Sequence, residues 1–453
     1  MDQPQTINKN AKENKNSAPI LLQGPSGTRD FYPKDMLKRN WLFDQWTNIS
    51  KKFGFQQYDG PILEHSNLYT RKGGDDILKE MYSFKDADGI EVCLRPEMTP
   101  TVARMAILEL PKTVLPLKWF SIPQCWRFES TTRGRKREHF QWNVDIFGAE
   151  MIKSEIEILS MIVSFFKQIG LTDADITIKI SNRMILQKML TKMGIDPDKF
   201  EKAYNIIDKI KKVSHDELSN MLQSEIGINQ ESIDTIVKLT KVTNILDLAL
   251  FLDKDDNTVY EMVKIFELAK LSGIDTWLQF DASIVRGLSY YTGVVFEGFF
   301  KNSTLQRSIC GGGRYDNLFQ KYGYAKKVPA VGFGFGDIVT LEVLAELGKL
   351  PQFDSSVDYC IIAYTEDLYP NAVNIANRLR DKNKTVVQYM KCNRKLKAAF
   401  SYADRIGAKY AILVAPDEYK ENKIVVKNLR LSEDNMNTFD IDQYINQYVN
   451  QQN

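Results

Sequence analysis

Apolar residues recur at helical spacing in two stretches of the first part of the chain. The first stretch follows a Gly/Pro loop, GPSGTRDFYP, and the second begins near Glu150 and stops at Gly170, where a glycine would end a helix. Each stretch therefore predicts an amphipathic helix with one buried face. The apolar positions are Trp41, Leu42, Trp46 and Ile49 in the first helix and Ile156, Leu159, Ile162, Val163 and Phe166 in the second.

The pattern changes twice further along the chain. Residues 183–274 carry long helical patterns with few strand signals, whereas 278–300 returns to β-branched and aromatic residues. A helical insertion inside an α+β domain accounts for this change. Beyond Pro351, short apolar strands alternate with helical stretches, as in a small α/β domain. These strands are expected at 357–365, 385–390, 409–415 and 423–429.

These patterns predict four parts of the chain. We expect a disordered polar tail, an α+β domain in two pieces, a helical insertion between the pieces and a separate C-terminal α/β domain. The predicted bounds are 1–20 for the tail, 21–182 and 275–348 for the α+β domain, 183–274 for the insertion and 355–453 for the C-terminal domain.

The composition argues against several classes of protein. The 453 residues include 60 Lys and Arg against 58 Asp and Glu, and a net charge of +2 does not indicate a dedicated nucleic-acid binder. Five scattered cysteines and three distant histidines predict neither disulfides nor a metal site, and they fit a reducing compartment. No apolar run reaches the ~18 residues of a membrane span, so no membrane contact is expected. Residues 1–19 lack arginine, unlike a mitochondrial presequence, and we expect a cytoplasmic protein, with import into an organelle as the alternative.

Two strands with a polar face are predicted on either side of a basic loop. Arg127 and Glu129 share one face of the first strand, and Gln141, Asn143 and Asp145 share one face of the second. An antiparallel hairpin in one register would place Arg127 near Asp145 and Glu129 near Asn143. Such a face is either a solvated sheet surface or a binding surface for a small polar molecule. The basic residues of the loop are Arg133, Arg135, Lys136 and Arg137.

A constrained turn presents two further polar side chains. Glu97 and Thr99 lie between Pro96 and Pro100, and the two prolines force a turn just before a helix. A simple capping turn would have the same pattern.

The segment VRGLSYYTGVVFE combines an arginine with tandem tyrosines. Arg286 precedes a glycine, so it can approach a phosphate closely and neutralise charge there, although an isolated arginine is more often a surface or ion-pair residue. Tyr290 and Tyr291 would face opposite sides of an extended strand, with one side chain at a site and the other in the core.

Two glycine-rich stretches follow this segment. ICGGGRYDNL at 309–318 and PAVGFGFGDIV at 329–339 would let a nucleotide lie flat against the backbone, since no Cβ intervenes. The chain has no GxxxxGK[ST] P-loop, and GFGFG lacks the GxGxxG spacing of a Rossmann turn. If ATP binds, it binds on another architecture.

The order and spacing of these segments resemble one family along almost the whole chain. From GTRDFYP at 27–33 to the C-terminal α/β domain, the sequence is similar to the histidyl-tRNA synthetases, which are class II aminoacyl-tRNA synthetases. RGLSYYTG and GGGRYD are similar to the two segments that set this family apart. The resemblance implies an α+β fold with an antiparallel-sheet catalytic core, a helical insertion, a C-terminal anticodon-binding domain and a homodimer.

The resemblance also implies a two-step reaction without a tightly bound cofactor. The carboxylate of L-histidine attacks the α-phosphate of ATP, with Mg²⁺, and expels pyrophosphate; a terminal ribose hydroxyl of tRNA(His) then attacks the histidyl-adenylate. The alternative is a catalytically inactive relative that acts as a regulatory or tRNA-sensing subunit. Such relatives typically lose the RGLxYY residues or the C-terminal domain, and both are present in this chain.

By the same resemblance, individual residues take expected roles. Arg127 and Arg286 would be catalytic, with Arg127 on the α-phosphate of ATP and Glu129 helping to hold the nucleotide. Pro61 in YDGPILE would lie at the dimer interface. The acceptor end of tRNA would meet the loop residues Arg133, Arg135, Lys136 and Arg137. Histidine would be bound by Glu97, Thr99, Arg127, Gln141, Asp145, Arg286, Tyr290 and Tyr291.

Two positions depart from the family pattern. Ser289 stands where many members have Asp, and Val339 stands where the third conserved segment usually carries an arginine to the γ-phosphate of ATP. The γ-phosphate must then be held in another way, for which the basic loop is a candidate.

Positive charge is concentrated in one part of the C-terminal domain. Residues 378–409 hold ten Lys and Arg against only Asp381 and Asp404. A solvated helix face would have this pattern, but the run falls in the domain that the resemblance assigns to the anticodon. Since phosphate contacts depend on local charge, a nearly neutral chain can still bind RNA.

Overall fold

A computed structural model describes most of the chain. The described residues are 21–70, 75–210, 213–253, 256–286, 290–305, 307–353, 357–392, 396–431 and 435–448, so the predicted polar tail lies outside them. The chain divides into two compact units, Met1–Pro351 and Gln352–Asn453.

The first unit contains two sheets. Its strands are β1 (Gln56–Gln57), β2 (Leu63–His65), β3 (Ser83–Lys85), β4 (Glu91–Leu94), β5 (Leu117–Ser121), β6 (Gln124–Trp126), β7 (Glu138–Phe147), β8 (Ile176–Asn182), β9 (Leu278–Phe280), β10 (Val294–Phe300), β11 (Ser308–Arg314) and β12 (Ala330–Gly336). The larger sheet has the order β1-β5-β7-β12-β11-β10-β8-β9, with β6 also paired to β7, and the smaller has the order β2-β4-β3. The larger sheet is antiparallel except for the pairs β1–β5 and β8–β9 at its ends.

Helices cover the larger sheet and fill the connection between β8 and β9. They are α1 (Pro33–Lys52), α2 (Asn67–Thr70), α3 (Asp75–Glu80), α4 (Thr99–Glu109), α5 (Lys153–Gln168), α6 (Arg183–Lys192), α7 (Phe200–Ile207), α8 (His215–Met221), α9 (Gln230–Leu239), α10 (Asn257–Leu271), α11 (Leu318–Lys321) and α12 (Asp337–Glu346). The chain from α6 to α10 is helical, as the sequence pattern after residue 183 indicates. The α+β fold class is therefore confirmed.

The two amphipathic helices predicted from periodicity are α1 and α5. Leu42, Trp46 and Ile49 of α1 are buried, and Gly170 follows α5 with a φ of +76°, the left-handed backbone that a helix-ending glycine adopts. Both predictions are confirmed.

Strand β7 separates the core of the first unit from its opposite face. Trp142 is fully buried, stacks on Trp46 at 5.9 Å between ring centroids, and donates a hydrogen bond of 2.9 Å from Nε1 to Ser50 Oγ. Val144 and Ile146 are buried in the same apolar cluster. Since side chains alternate along a strand, the polar residues of β7 lie on the other face, as predicted.

The predicted register of the hairpin is wrong. Asp145 lies opposite Trp119 of β5, not beside Arg127, whose backbone N–H donates to Arg137 O at 2.9 Å. The physical reason is competition for β7: its second half is already paired with β5, so β6 must pair with the first half. The loop is correspondingly tighter than expected and turns at Gly134, with a φ of +74°.

The second unit is a five-stranded sheet with helices. It contains β13 (Val357–Ala363), β14 (Val386–Tyr389), β15 (Ala408–Val414), β16 (Lys423–Asn428), β17 (Met436–Asp440), α13 (Tyr369–Arg380), α14 (Leu396–Arg405), α15 (Pro416–Lys420) and α16 (Ile441–Gln443). The strand order is β14-β13-β15-β16-β17, parallel for β14, β13 and β15 and antiparallel for the rest. The four predicted strands are present. β17 is an additional strand whose residues are mostly exposed, so no apolar alternation marks it in the sequence.

A buried ionic cluster ties β11 to α5. Arg314 of the GGGRYD segment is 2% exposed; its Nε lies 2.6 Å from Glu155 Oε1 and its Nη1 lies 2.9 Å from Asp316 Oδ1. Its Nη2 donates to Ser154 Oγ at 2.7 Å. This arginine therefore joins the sheet to a helix behind it, away from solvent.

We expect Arg314→Met to destabilise the first unit by about 3 to 5 kcal/mol, because removing one partner leaves a buried charge uncompensated. Urea unfolding followed by tryptophan fluorescence measures this directly, since all six tryptophans lie between Trp41 and Trp277. The control is Lys153→Met, which breaks an exposed ion pair with Glu150 and should change stability by less than ~1 kcal/mol. Equal effects of the two changes would contradict a structural role for the cluster.

Candidate active site

The polar face of the larger sheet opens into a cavity of about 1160 Å³ within the first unit. Its walls come from β7, β8, β10, β11, β12, the start of α12 and the basic loop after β6. The lining includes Arg127, Glu129, His139, Gln141, Arg286 and Glu297. A concave site with a few convergent charged groups is the usual form of a ligand site.

Glycines in β12 make room for the polar side chains of β7. A Cβ at Gly334 would lie 1.7 Å from Gln141 Nε2, and a Cβ at Gly332 would lie 2.2 Å from Asp145 Oδ1. Neither distance is possible, so these two side chains cross the sheet only because β12 has glycine there. The prediction that a nucleotide lies flat on this backbone does not hold at these two positions, since protein side chains occupy the space.

Asp145 is a buried carboxyl group with one oxygen unpaired among the described residues. It is 2% exposed, and the Tyr315 hydroxyl donates a hydrogen bond to its Oδ1. Its Oδ2 has no hydrogen-bond partner in the described part of the chain, nor does Gln141 Oε1. Burial raises the pKa of Asp145 to about 7. Buried polar atoms are rarely left unpaired, so these two oxygens favour a ligand that donates hydrogen bonds.

A second buried carboxyl group, Glu97, lies at the turn before α4. The Tyr290 hydroxyl donates to Glu97 Oε2 at 2.9 Å, and the Tyr69 hydroxyl donates to the Glu97 carbonyl at 3.2 Å. Burial raises the pKa of Glu97, and the nearby Arg127 opposes that rise. Thr99, the first residue of α4, also hydrogen-bonds Tyr290. The predicted turn thus presents both polar residues to one tyrosine.

The two tyrosines do not face opposite sides. Both are buried, and their ring centroids lie 5.0 Å apart. Tyr290 meets Glu97, whereas the Tyr291 hydroxyl hydrogen-bonds Arg286. The prediction of opposite faces is wrong because the chain turns at residue 290 and is not yet extended there; β10 begins only at Val294. Ser289 lies outside the described residues.

Arg286 is held in an uncommon backbone conformation at the cavity. Its φ is +56°, and its Nη1 forms an ion pair with Glu297 Oε1 on β10. A Cβ at Gly311 would lie 2.3 Å from Arg286 Nη1, so the guanidinium lies directly on the glycine strand β11. Non-glycine residues adopt such a φ mainly where the surroundings enforce it, often at functional sites. Arg286 Nε has no hydrogen-bond partner among the described residues.

Arg127 and Glu129 lie at the beginning of the basic loop. Arg127 Nε donates to Pro96 O at 2.9 Å, which ties the arginine to the Glu97 turn. Arg127 Nη1 is 3.8 Å from Glu129 Oε1, and Glu129 Oε2 is 2.5 Å from Arg135 Nε. The predicted pair of Arg127 and Glu129 therefore does share the cavity, although not with the register expected.

The basic loop is partly neutralised by the protein itself. Arg133 forms ion pairs with Glu342 and Glu346 on α12, and the Arg137 guanidinium lies 4.0 Å from the Phe128 ring centroid. Lys136 and Arg135 line the cavity. The four basic residues are thus not equally available to an anionic partner, and their role in binding tRNA stays a prediction.

Sequence reasoning missed several residues that line the cavity. His139 follows the alternation of Gln141 along β7, which could have identified it; burial and then Arg127 lower the pKa of His139 to about 3, so the imidazole is neutral. Glu297, at the end of the VRGLSYYTGVVFE segment, also lines the cavity. Arg307 and Lys179 carry no sequence signal, because only the pairing of β8, β10 and β11 brings them to the cavity.

We expect Asp145→Asn to stabilise the protein increasingly as pH rises from 5 to 7. The pKa of Asp145 is about 7 in the folded protein and near 4 in unfolded chains, so ionisation opposes folding across that interval. The advantage of the variant should grow by up to about 1.4 kcal/mol per pH unit and level off above pH 7. Urea unfolding of both proteins at pH 5, 6, 7 and 8, without ligand, measures this difference. Asp44→Asn on the exposed side of α1 is the control, and a pH-independent difference for Asp145→Asn would contradict the interpretation.

Comparison with known proteins identifies the family. The histidyl-tRNA synthetase family model matches residues 27–336, and an anticodon binding domain model matches 358–449. The chain is 43% identical to the chloroplastic/mitochondrial histidine–tRNA ligase of Arabidopsis thaliana, over 91% of this chain and 84% of that protein.

Two solved structures share the fold. The histidyl-tRNA synthetase of Nostoc sp. PCC 7120 aligns with a TM-score of 0.76 at 22% identity, over 96% of this chain and 100% of that one. A Bacillus halodurans protein described as an ATP phosphoribosyltransferase regulatory subunit/histidyl-tRNA synthetase aligns with a TM-score of 0.70 at 22% identity, over 85% and 97%. At these identities the structures support the fold alone, whereas the family model and the Arabidopsis relative go further. The chain belongs to the histidyl-tRNA synthetase family.

Proposed function

We propose that this protein attaches L-histidine to tRNA(His) through a histidyl-adenylate, with ATP as substrate. The observation that carries the proposal is a cavity lined by two arginines, Arg127 and Arg286, with two buried carboxyl groups close to its lining. Glu97 lies within reach of the charge of both arginines, and Asp145 shares a face of β7 with Gln141, which lines the cavity. The carboxyl groups suit a cationic amino acid, and the arginines suit a phosphate. The match of the family model over residues 27–336 supports the same conclusion.

The unpaired oxygens support a binding position for histidine. Asp145 Oδ2 and Gln141 Oε1 lack partners among the described residues and would accept hydrogen bonds from the ammonium or the imidazole. Glu97, held by the hydroxyl of Tyr290, adds a second negative charge or acceptor. Thr99 and Tyr291 complete the proposed pocket.

The arginines define where the phosphate chemistry would occur. Arg127 is fixed by Pro96 O at 2.9 Å and Arg286 by its ion pair with Glu297. When the histidine carboxylate attacks the α-phosphate, negative charge builds on phosphorus, and two positioned guanidinium groups offset it without reorganising. Mg²⁺, when bound with ATP, would neutralise further phosphate charge. Glu129, which pairs with Arg135 at 2.5 Å, would help to hold the nucleotide. Pyrophosphate then leaves; the tRNA ribose hydroxyl attacks the carbonyl carbon of the adenylate, forms an ester with histidine and releases AMP.

Two separate regions would bind tRNA. In the first unit, the loop residues Arg133, Arg135, Lys136 and Arg137 would meet the acceptor end. In the second unit, the match to an anticodon binding domain and the basic run 378–409 support binding of the anticodon.

An apolar surface on the small sheet supports a homodimer. Leu63 of β2 pairs with Leu94 of β4, and Phe84 of β3 pairs with Val92 of β4, so these four side chains share one face. Leu63 is 45% and Phe84 48% exposed in the single chain. Pro61, the predicted interface residue, is also exposed and lies two residues before Leu63. Two large apolar side chains exposed on one face of a sheet are consistent with a protein contact there.

We place the protein in the cytoplasm. All five cysteines are free, which fits a reducing compartment. Among the described helices, none is both long and apolar enough to span a bilayer. The name of the Arabidopsis relative makes an organelle the alternative location.

The proposed function predicts ATP–pyrophosphate exchange that depends on histidine. Of the twenty amino acids, we expect only histidine to support exchange, because the pocket offers carboxyl and amide oxygens to a cationic side chain. A response to another amino acid would overturn the substrate, and no response to any would favour the inactive regulatory alternative.

We expect Arg286→Ala to lower the rate of exchange by at least ~10² to 10³, the usual effect of removing a positioned donor. Its tryptophan fluorescence and dimer mass should stay unchanged, because Arg286 contacts the cavity and not the core. Lys270→Ala, an exposed change on α10, serves as the control. Exchange near the wild-type rate in Arg286→Ala would refute the catalytic assignment.

The double variant Leu63→Asp/Phe84→Asp should convert a dimer into a monomer, because two charges would be buried in the apolar interface. Light scattering after size-exclusion chromatography measures the mass. Leu271→Asp, at a position 84% exposed on α10, should remain a dimer. A variant that keeps the wild-type dimer mass would show that the interface lies elsewhere.

A further inference from the structure

Helix α12 forms one wall of the cavity. At position 339, where histidyl-tRNA synthetases usually carry an arginine, this helix has a valine. Val339, in the first turn of α12, is buried and lines the cavity with Ile338. If ATP occupies the cavity as proposed above, its γ-phosphate must meet a cation from another element. We propose that Arg307, in the connection between β10 and β11, binds the terminal phosphate of ATP.

Arg307 is anchored to the basic loop but leaves its charge unpaired. Its Nη2 donates to Thr132 Oγ1 at 3.0 Å, and a Cβ at Gly134 would lie 3.2 Å from Arg307 Cδ, so the side chain packs against the turn of the loop. Within the described part of the chain, no carboxylate oxygen lies within 4.0 Å of its guanidinium nitrogens. The side chain is thus positioned by neutral contacts and presents a free positive charge to the cavity.

A second arginine stands beside Arg307. Burial and the nearby charge of Arg135 both lower the pKa of Arg307, and Glu129, paired to Arg135 at 2.5 Å, offsets this repulsion only in part. Two guanidinium groups that face one cavity repel each other, and an anion between them removes that penalty. A polyphosphate carries enough charge to do so.

Arg307 lies near the part of α12 from which an arginine at position 339 would extend. Glu342 lies three residues after Val339, on the same side of α12, and its charge also acts on Arg307. Gly134 N donates to Glu342 Oε1 at 3.3 Å, so the loop turn against which Arg307 packs lies against this side of the helix. Arg307 therefore reaches the region that an arginine at position 339 would reach, from a different element.

The direction of the loop fits a triphosphate. Arg127, proposed for the α-phosphate, lies where the loop leaves β6, and Thr132 lies at its tip. A phosphate chain that starts at Arg127 and follows the loop would end near Thr132, where Arg307 is bound.

The other cations of the cavity are less suitable. Lys179 pairs with Asp281 at 2.8 Å, and Lys301 Nζ donates to Asp173 O at 2.6 Å. Lys136 is the competitor, because it lines the cavity and shows no carboxylate within 4.0 Å in the described chain. It is a single-point cation, whereas Arg307 offers a fork that matches two phosphate oxygens.

The test uses the full-length protein in two assays. In histidine-dependent ATP–pyrophosphate exchange, Arg307→Ala should raise the KM for ATP about 10- to 100-fold, as expected for a lost charged hydrogen bond, with the KM for histidine unchanged. In calorimetry, the same variant should weaken binding of ATP and leave binding of AMP unchanged, because AMP has no terminal phosphate. Arg307→Lys should recover part of the ATP affinity, since it restores the charge but not the fork.

Several outcomes would overturn the assignment. An unchanged KM for ATP, or equal weakening of ATP and AMP, would show that Arg307 has only a structural role. A selective loss of ATP affinity in Lys136→Ala but not in Arg307→Ala would assign the γ-phosphate to the loop lysine. If the wild-type protein shows no histidine-dependent exchange, the proposed function fails, while the comparison of ATP with AMP still decides the role of Arg307.

Discussion

The first unit depends on one steric constraint, the absence of side chains at alternate positions of β12. Gln141 and Asp145 can lie over the sheet only because Gly334 and Gly332 leave them space. The opposite face of β7 carries Trp142, which is packed tightly against α1 and α5, so the strand cannot shift to relieve a clash. A rigid core on one side and glycine on the other together fix the two polar side chains over β12.

The same arrangement buries a carboxyl group, Asp145, whose ionisation lowers the stability of the folded protein. Arg286 forms an ion pair with Glu297, and Glu97 accepts a hydrogen bond from the Tyr290 hydroxyl. Asp145, in contrast, keeps one oxygen unpaired among the described residues. The raised pKa of Asp145 expresses that cost, because burial disfavours the charged carboxylate form. A cationic ligand would remove the cost on binding. Local instability and ligand affinity therefore have the same origin at this residue.

The sequence allowed the faces of β7 to be predicted but not its partners. Alternation is a local property, and it correctly separates Trp142 from Gln141. Register depends on which strand pairs with each part of β7, and β5 pairs with the half beside which Arg127 was expected. The predicted orientation of Tyr290 was wrong for a related reason: the chain turns at this residue, and β10 begins only at Val294. Of the residues to which the resemblance gives a role, Arg127, Gln141 and Arg286 line the cavity, whereas Glu97 and Asp145 are buried. Contacts such as that of Arg307 with Thr132 join segments 175 residues apart, and no local pattern encodes them.

The packing of helix α12 explains why the cation for a phosphate would come from another element. Asp337 at its start is fully buried; it accepts a hydrogen bond from Phe140 N at 3.0 Å and pairs with Arg29 at 2.9 Å. The helix is therefore fixed to β7 by its first residue, and Val339, two residues later in the same turn, packs against the core. With this face committed to packing, positive charge for a phosphate must come from a neighbouring segment. The connection before β11 lies against the basic loop through Gly134, so an arginine there meets the same part of the cavity without disturbing the helix.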